Sequence, residues 1–438
     1  MNPLRTIAWR NVRRHWHRSL AVLLSISAGF AAICLFEGFI GEIRREFEDG
    51  YFYRGMYGHL IVESSDKSFK NLLDDIGIFL DMDQQSALEA FFDESPEVDV
   101  YARFVHVAGL VTTRRSSTAF IGVGHDVAKG VKLRGEVWKW NVVEGEPLYQ
   151  SGGEADINVG VRLAALVGCR SEWRGALYRR GGGIFRHRPL HCETADVQLQ
   201  GTSLSGRMNA VDARIVGTID SGLRELDDKF ILMPLELAQE LLDTHGIGMY
   251  VVRLKNADAI SGFQTRLSAF ALSGGIPIQI TRWQDHPVHG LLYRQTMSLL
   301  SVFRWFVLSI VVVIVWMTLV TTLTRSVIER TREIGTLRSI GYNRRHIVVL
   351  FMWEGFFLAA LGCALGWGLV ALIAAGLEAE ELGFDSGITS YEMILRVSPP
   401  LEVYVLVALF LVTLAMLGAV RPALRVARGR ISDALRHI

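Results

Sequence analysis

A chain that does work on a substrate needs a phosphate-binding loop, a catalytic constellation or a metal centre, and this one has few residues arranged for any of them. A P-loop requires Gly-Lys followed by a hydroxyl residue, because backbone N–H groups and the lysine together cradle the phosphates. No Gly-Lys dipeptide occurs in the 438 residues, and the Gly-rich run Arg179–Gly183 (RRGGG) has neither the lysine nor the hydroxyl. His187, His191 and Cys192 have metal-ligand types and spacing, but a zinc site needs three or four converging ligands and no further pair lies near them. They read as a surface loop, and no metal is expected. The four cysteines, Cys34, Cys169, Cys192 and Cys363, form no CxxC pair, which argues against thiol redox chemistry. Cys169 and Cys192 can form a disulfide if their compartment is oxidising; spacing alone does not decide it. No hydrolase elbow or paired-carboxylate pattern stands out, so no catalytic residue is assigned.

What remains is charge where charge is costly. Glu37, Arg304 and Glu354 lie within or at the edges of long apolar runs, where an ionisable residue points to function and to a partner. On a helical rise Glu37 lies about 28 Å beyond Arg18, and Arg304 about 31 Å before Arg325, so both reach the same membrane boundary. Either the two pair there or each reaches water separately. Glu354 lies about 12 Å inward from His346, deep enough to need a partner or a hydrated cleft.

The elements that hold these charges are membrane spans. Half of the residues are hydrophobic and the net charge is +1, so no global case for nucleic acid exists. Residues 1–18 carry five arginines and no acid, with Trp9 and Trp16 between them, and read as an amphipathic helix at the headgroups. Residues 19–41 form the first span, too long for a signal-peptide core. Residues 42–298 contain no spanning segment. Their alternating stretches (100–113, 208–219, 249–254) and helix-like segments (84–92, 235–242, 259–272) give an α+β domain, with stalk helices at both ends and loops at 151–153 and 181–183. The remaining spans are 299–323, 347–377 and 401–420, with a connection at 378–400 and a tail at 421–438. Gly362 and Gly366, four apart, allow close helix packing in the third. The fold class is therefore a membrane protein of four transmembrane helices with a large extracytoplasmic α+β domain between the first and second.

Orientation follows from arginines. Residues 1–18, 325–346 and 421–438 hold five, six and five, against one in 377–400. The three basic segments are cytoplasmic by the positive-inside rule, which puts 42–298 outside and both termini inside. The segment 324–346 reads as a short helix lying on the membrane face. Ile334, Leu337 and Ile340 make its apolar stripe, Glu329 pairs in charge with Arg325 and Arg332, Gly341 suits a left-handed helix end, and Asn343 suits a cap.

The run Glu329–Gly341 (ERTREIGTLRSIG), followed by Phe351, Glu354, Gly362 and Gly366, resembles ABC-transporter permeases of the MacB, LolC/LolE and FtsX type, whose pattern is E-R-x-R-E-I-G-x-L-R-A-I-G before an apolar helix with one glutamate. Ser339 stands where the family has alanine. Trp9–Arg14 with Arg18 resembles the family's opening, and Arg421–Ala423 through Ala434–Arg436 its ending, with Ile431-Ser432 where proline is frequent. Asp227–Leu242 is most similar to the LolC/LolE branch. The resemblance implies a coupling helix, formed by Glu329, Arg332, Glu333, Ile334, Gly335, Leu337, Arg338 and Gly341, that rests on a separate cytoplasmic ABC ATPase dimer. ATP and Mg would be bound by that partner and no cofactor by this chain. It further implies a bacterial inner-membrane location and pairing with a second permease copy or a related permease. A periplasmic carrier or membrane-fusion adaptor would complete the assembly. The expected cargo is hydrophobic, lipoprotein or lipid passed toward the outer membrane. The alternatives are MacB-like efflux of small molecules or peptides, and FtsX-like signalling to a cell-wall hydrolase, for which an external domain of this size is too large. Phe30, Phe36 and Phe39 of the first span could face cargo or simply contact neighbouring helices.

Overall fold

The computed structural model describes residues 3–14, 16–67, 79–138, 142–170, 189–384 and 393–427. The chain divides into two compact units: one from 1–44, 297–382 and 395–438, the other from 45–296 and 383–394.

The first unit is helical: α1 (Pro3–Arg14), α2 (Trp16–Phe47), α3 (Leu291–Glu329), α4 (Thr331–Ser339), α5 (Arg344–Glu380) and α6 (Leu401–Ala427). Four of these helices are long and apolar enough to cross a membrane. At 1.5 Å per residue, the 39 residues of α3 measure about 58 Å, well beyond a hydrocarbon core, so the helix runs past the apolar stretch at both ends. Each long helix turns one stripe inward. Val22, Ile26, Phe30 and Cys34 of α2 meet Val311, Val315, Leu319 and Leu323 of α3, with Phe351 and Leu358 of α5 and Leu411, Ala415 and Ala419 of α6 in the same core. The spacing of four is the helical repeat that keeps one face in register. Packing is closest at Gly362 and Gly366, where a Cβ would come within 2.7 Å of Ile26 and 2.8 Å of Phe30. Only residues without side chains let α2 and α5 approach that far.

Two expectations change here. The apolar face of α1, which sequence alone lays on the headgroups, is occupied by α5: Leu4 and Ala8 pack with Leu350, and Trp9 meets Phe357 edge-on at 5.2 Å. The segment 324–346 is not one helix. α3 continues to Glu329, Arg330 (φ −104°, ψ 17°) interrupts it, and α4 follows.

The second unit is built on a ten-stranded sheet of β1 (Leu60–Ser64), β2 (Val98–Thr112), β3 (Ser117–His125), β4 (Val142–Gly145), β5 (Asp156–Gly160), β6 (Asp196–Thr202), β7 (Met208–Ile219), β8 (Phe230–Pro234), β9 (Met249–Leu254) and β10 (Ile278–Arg282). The order is β10-β1-β9-β2-β3-β8-β5-β7-β4, with β6 pairing both β2 and β7. Most pairs are antiparallel; β8 with β3 and β5 with β7 are parallel. Helices Met82–Glu94, Leu235–Leu242 and Ile260–Ser273 cover the sheet through Leu88, Phe92, Leu241 and Phe263. The first of them starts in a capping box between Asp81 and Gln84, which satisfies two end donors. The loop at 151–153 contains Gly152 in the left-handed region; the one at 181–183 lies outside the described residues.

The entry and exit segments of this unit are held side by side by aromatic rings. Tyr51, in the π-helical turn Glu48–Arg54, stacks on Trp283 at 5.4 Å, and Phe47 meets Tyr293 edge-on at 5.4 Å. Arg54 ends the turn in a buried ion pair with Asp220 at 3.0 Å.

Several histidines of this unit are held neutral. Burial, reinforced by the Lys67 ammonium, pushes His106 down to about 4, and burial, reinforced by Arg134, pushes His125 down to about 3. The unfolded chain takes up protons near pH 6.5, which these two rings refuse until much lower pH. Their share of stability is therefore full above pH 6.5 and lost on acidification toward 4, at about 1.4 kcal/mol per pH unit for each ring. Thermal unfolding of the intact protein should show the transition of this unit moving down over that window, and His106→Gln should flatten the slope. A transition that stays level from pH 7 to 4.5 would contradict this.

Candidate functional site

The site is built around α4. Its sequence, TREIGTLRS, is short, and nine residues of helix are marginal in isolation, so tertiary contacts must hold it. Ile334 supplies the anchor, 3 % exposed, and clusters with Val327, Ile347 and Phe351; Gly335 is buried beside it and Leu337 is half-buried. Ile340 departs from the stripe drawn on sequence: it is 71 % exposed. The helix has ended at Ser339, and at 3.6 residues per turn Ile340, six positions after Ile334, already points about 120° away from the buried face; Gly341, at φ +105°, turns the chain directly after it. Asn343 then caps α5 in a box with His346. Glu329 and Glu333 are exposed, and Arg338 is half-buried; the Arg332 side chain lies outside the described residues. The arrangement is a helix anchored by one apolar face, with a polar face and one apolar residue, Ile340, left open.

Beneath α4 lies Glu354, 4 % exposed on α5. Its Oε1 accepts from Arg330 at 2.7 Å and from Asn11 at 2.7 Å, while the Arg330 Nε donates to Glu333 at 2.8 Å. The depth of Glu354 called for a partner, and sequence reasoning named neither. Arg330 lies 24 positions away and Asn11 lies 343 away. The available signal was that both belong to the motif fragments already singled out, the ERTRE run and the Trp9–Arg14 opening.

At the far end of α2, Glu37 and Arg304 form an ion pair at 2.9 Å, with side chains 25 % and 36 % exposed. The Arg304 Nε makes no hydrogen bond, so this is a charge contact rather than an aligned donor and acceptor. Close by, Gly38 packs against Val397 and Pro399, and Ser398 donates to Glu42. Of the three phenylalanines, Phe30 is buried against Gly366 with Tyr404 at 6.2 Å, so it is a helix contact rather than a cargo-facing ring; Phe36 and Phe39 are half-buried.

Cys169 and Cys192 are joined by a disulfide in a short ladder that pairs 169–170 with 191–192. That bond takes the Cys192 thiol away from any metal; His191 is exposed against the Pro189 carbonyl, and His187 lies outside the described residues. Cys34 and Cys363 are free and buried.

Four membrane-length helices with an α+β sheet unit inserted between the first and second define the class, a polytopic helical membrane protein. Residues 305–431 match the family model described as FtsX-like permease C-terminal, and this part of the chain is an FtsX-like permease domain. An uncharacterized ABC transporter permease of Methanocaldococcus jannaschii is 49 % identical over 37 residues, 8 % of this chain and 10 % of that relative's length. Among solved structures, the periplasmic region of MacB from Actinobacillus actinomycetemcomitans matches 58 % of this chain and 98 % of its own, at 10 % identity and TM-score 0.34. The extracellular domain of the ABC-type transporter YknZ from Gram-positive bacteria matches 51 % and 98 %, at 11 % identity and TM-score 0.32.

An ion pair at this exposure contributes on the order of 1 kcal/mol. Glu37→Arg should lower the thermal stability of the detergent-solubilised protein by about that amount, because it sets two cations together. Combining it with Arg304→Glu should restore most of the loss. If the double variant is no more stable than either single one, the contact does not contribute.

Proposed function

We propose that this chain is the permease subunit of an ABC transporter and that α4 is the surface on which a separate cytoplasmic ATPase rests. The observation that carries this is α4 itself: a short helix between two spans, fixed to the bundle by Ile334 and Leu337, with its polar face and the neighbouring Ile340 exposed. Two sequence features support it. The six arginines of 325–346 favour the cytoplasmic side, and the absence of a Gly-Lys dipeptide from these residues fits nucleotide being bound and hydrolysed outside them.

The mechanism follows from connectivity. Two of the four passages of the chain between its units lie within α2 and α3, and α3 ends directly at the site. A displacement of α4 driven by the ATPase moves α3, and the backbone carries it to the external α+β unit. The aromatic clamp of Phe47, Tyr51, Trp283 and Tyr293 receives both connections together. The disulfide belongs to this external, oxidising side. Two permeases, identical or related, act with an ATPase dimer, and the external unit selects a hydrophobic cargo for extraction or export from a bacterial inner membrane. Lipoprotein or lipid is favoured by the resemblance at Asp227–Leu242.

The test is co-purification. The full-length protein extracted from its native membranes should bring with it an ABC ATPase whose hydrolysis it stimulates. An exposed isoleucine at the centre of a docking site is an anchor whose loss costs upward of tenfold in affinity. Ile340→Asp should therefore abolish recovery of the ATPase while leaving the thermal stability of the permease unchanged. Recovery of no ATPase by the wild type would sink the reading, and undiminished recovery by Ile340→Asp would remove α4 from it.

A further inference from the structure

The contacts of Glu354 join three segments that are remote in sequence, and their geometry is more specific than charge neutralisation requires. Arg330 is the single residue between α3 and α4 at which the helical backbone is interrupted. Its guanidinium is a rigid fork, and its arms go to different helices: one to Glu354 on α5 at 2.7 Å, the other to Glu333 on α4 at 2.8 Å. Asn11 of α1 donates to the same Oε1 at 2.7 Å, a second donor on one carboxylate oxygen. Glu354 is 4 % exposed, so the group works where water does not compete.

Stability alone does not account for this arrangement. A buried ion pair is frequently no more stabilising than well-packed apolar side chains of the same volume, because desolvation offsets the attraction. What such a pair supplies is direction: hydrogen bonds fix angles, and apolar contacts do not. The apolar anchoring of α4 is a single buried stripe, Ile334 with part of Leu337, about which a short helix can rock. The fork of Arg330 bears on that freedom, since it ties the hinge to α5 and the first turn of α4 at once.

We propose that Glu354, acting through Arg330 and Asn11, is a positioning residue that fixes the orientation of α4 at its hinge with α3 and so determines whether a push on α4 becomes a movement of α3. The coupling half of this rests on the function proposed above; the positioning half does not. Loss of Glu354 leaves the exposed face of α4 intact, so a partner still binds, but the hinge is slack and the push is dissipated locally.

The experiment uses the full-length protein in lipid nanodiscs and begins without any ATPase. Amide hydrogen exchange over residues 331–341 should be about tenfold faster in Glu354→Gln and about threefold faster in Asn11→Ala, with β2 unchanged as an internal control for folding. Arg330→Lys keeps the charge but loses the fork, and should accelerate exchange over 331–336 while conserving fold and expression. The second arm adds the co-purified ATPase and ATP. Spin labels at Ser309→Cys in α3 and Leu372→Cys in α5 should show a nucleotide-dependent distance change in wild type that is lost in Glu354→Gln, although ATPase recovery persists. Exchange over 331–341 that matches wild type in all three variants would overturn the proposal whatever the ATPase does. Loosened exchange with an undiminished distance change would overturn the coupling role. Failure of the wild type to recover an ATPase would instead count against the function proposed above, and the exchange arm would still decide the positioning role.

Discussion

Hydrocarbon offers no hydrogen bonds, and the helical unit is arranged around that constraint. Each polar group within the apolar depth must be satisfied by the protein itself, which is why the spans are unbroken helices and why their few charges have partners. Glu354 draws donors from α1 and from the α3–α4 hinge, and in doing so fixes where both can lie. Glu37 and Arg304, nearer the boundary and partly exposed, need only each other's charge. The same constraint sets the packing. With no hydrophobic force to separate helix from lipid, contact is gained by close approach, and Gly362 and Gly366 bring α5 onto Ile26 and Phe30 of α2.

The sheet unit answers to water instead and is organised on different terms. Its sheet buries alternate residues along its strands, and Arg54 and Asp220, 166 positions apart, form a buried ion pair within it. The neutral histidines mark the cost of this burial: rings such as His125 are carried as apolar neighbours of Phe104 rather than as charges. The disulfide ties Cys169, a member of the core, to Cys192 across a short strand pair.

Local features were legible in the sequence and convergent ones were not. Hydropathy located the four spans, since a run of twenty apolar residues has few other uses, and period-two alternation located strands at 208–219 and 249–254. Helix ends came from single residues with special backbone needs, as at Gly341 and Asn343. The order of the ten strands, with β6 bridging β2 and β7, is a matter of non-local pairing that no window of sequence contains. The same holds for Asn11, 343 positions from its acceptor. Two misreadings share a cause. Amphipathicity identifies an apolar face but neither what covers it, as α5 covers that of α1, nor where a helix ends, as α4 does just before Ile340.

The break at Arg330 deserves to be weighed against the alternative of a continuous helix. Had α3 run on through 330–339, a force on that end would pass straight along its axis, and no buried clamp would be needed. The interruption makes α4 a separate lever, which can present its exposed face at an angle that α3 could not offer. It also makes that lever loose. A rigid connection at a broken helix requires bonds that cross the break, and those of Arg330 to Glu333 on one side and Glu354 on the other do this. The buried carboxylate, costly in an apolar helix, is thereby explained by the hinge rather than by the span in which it lies.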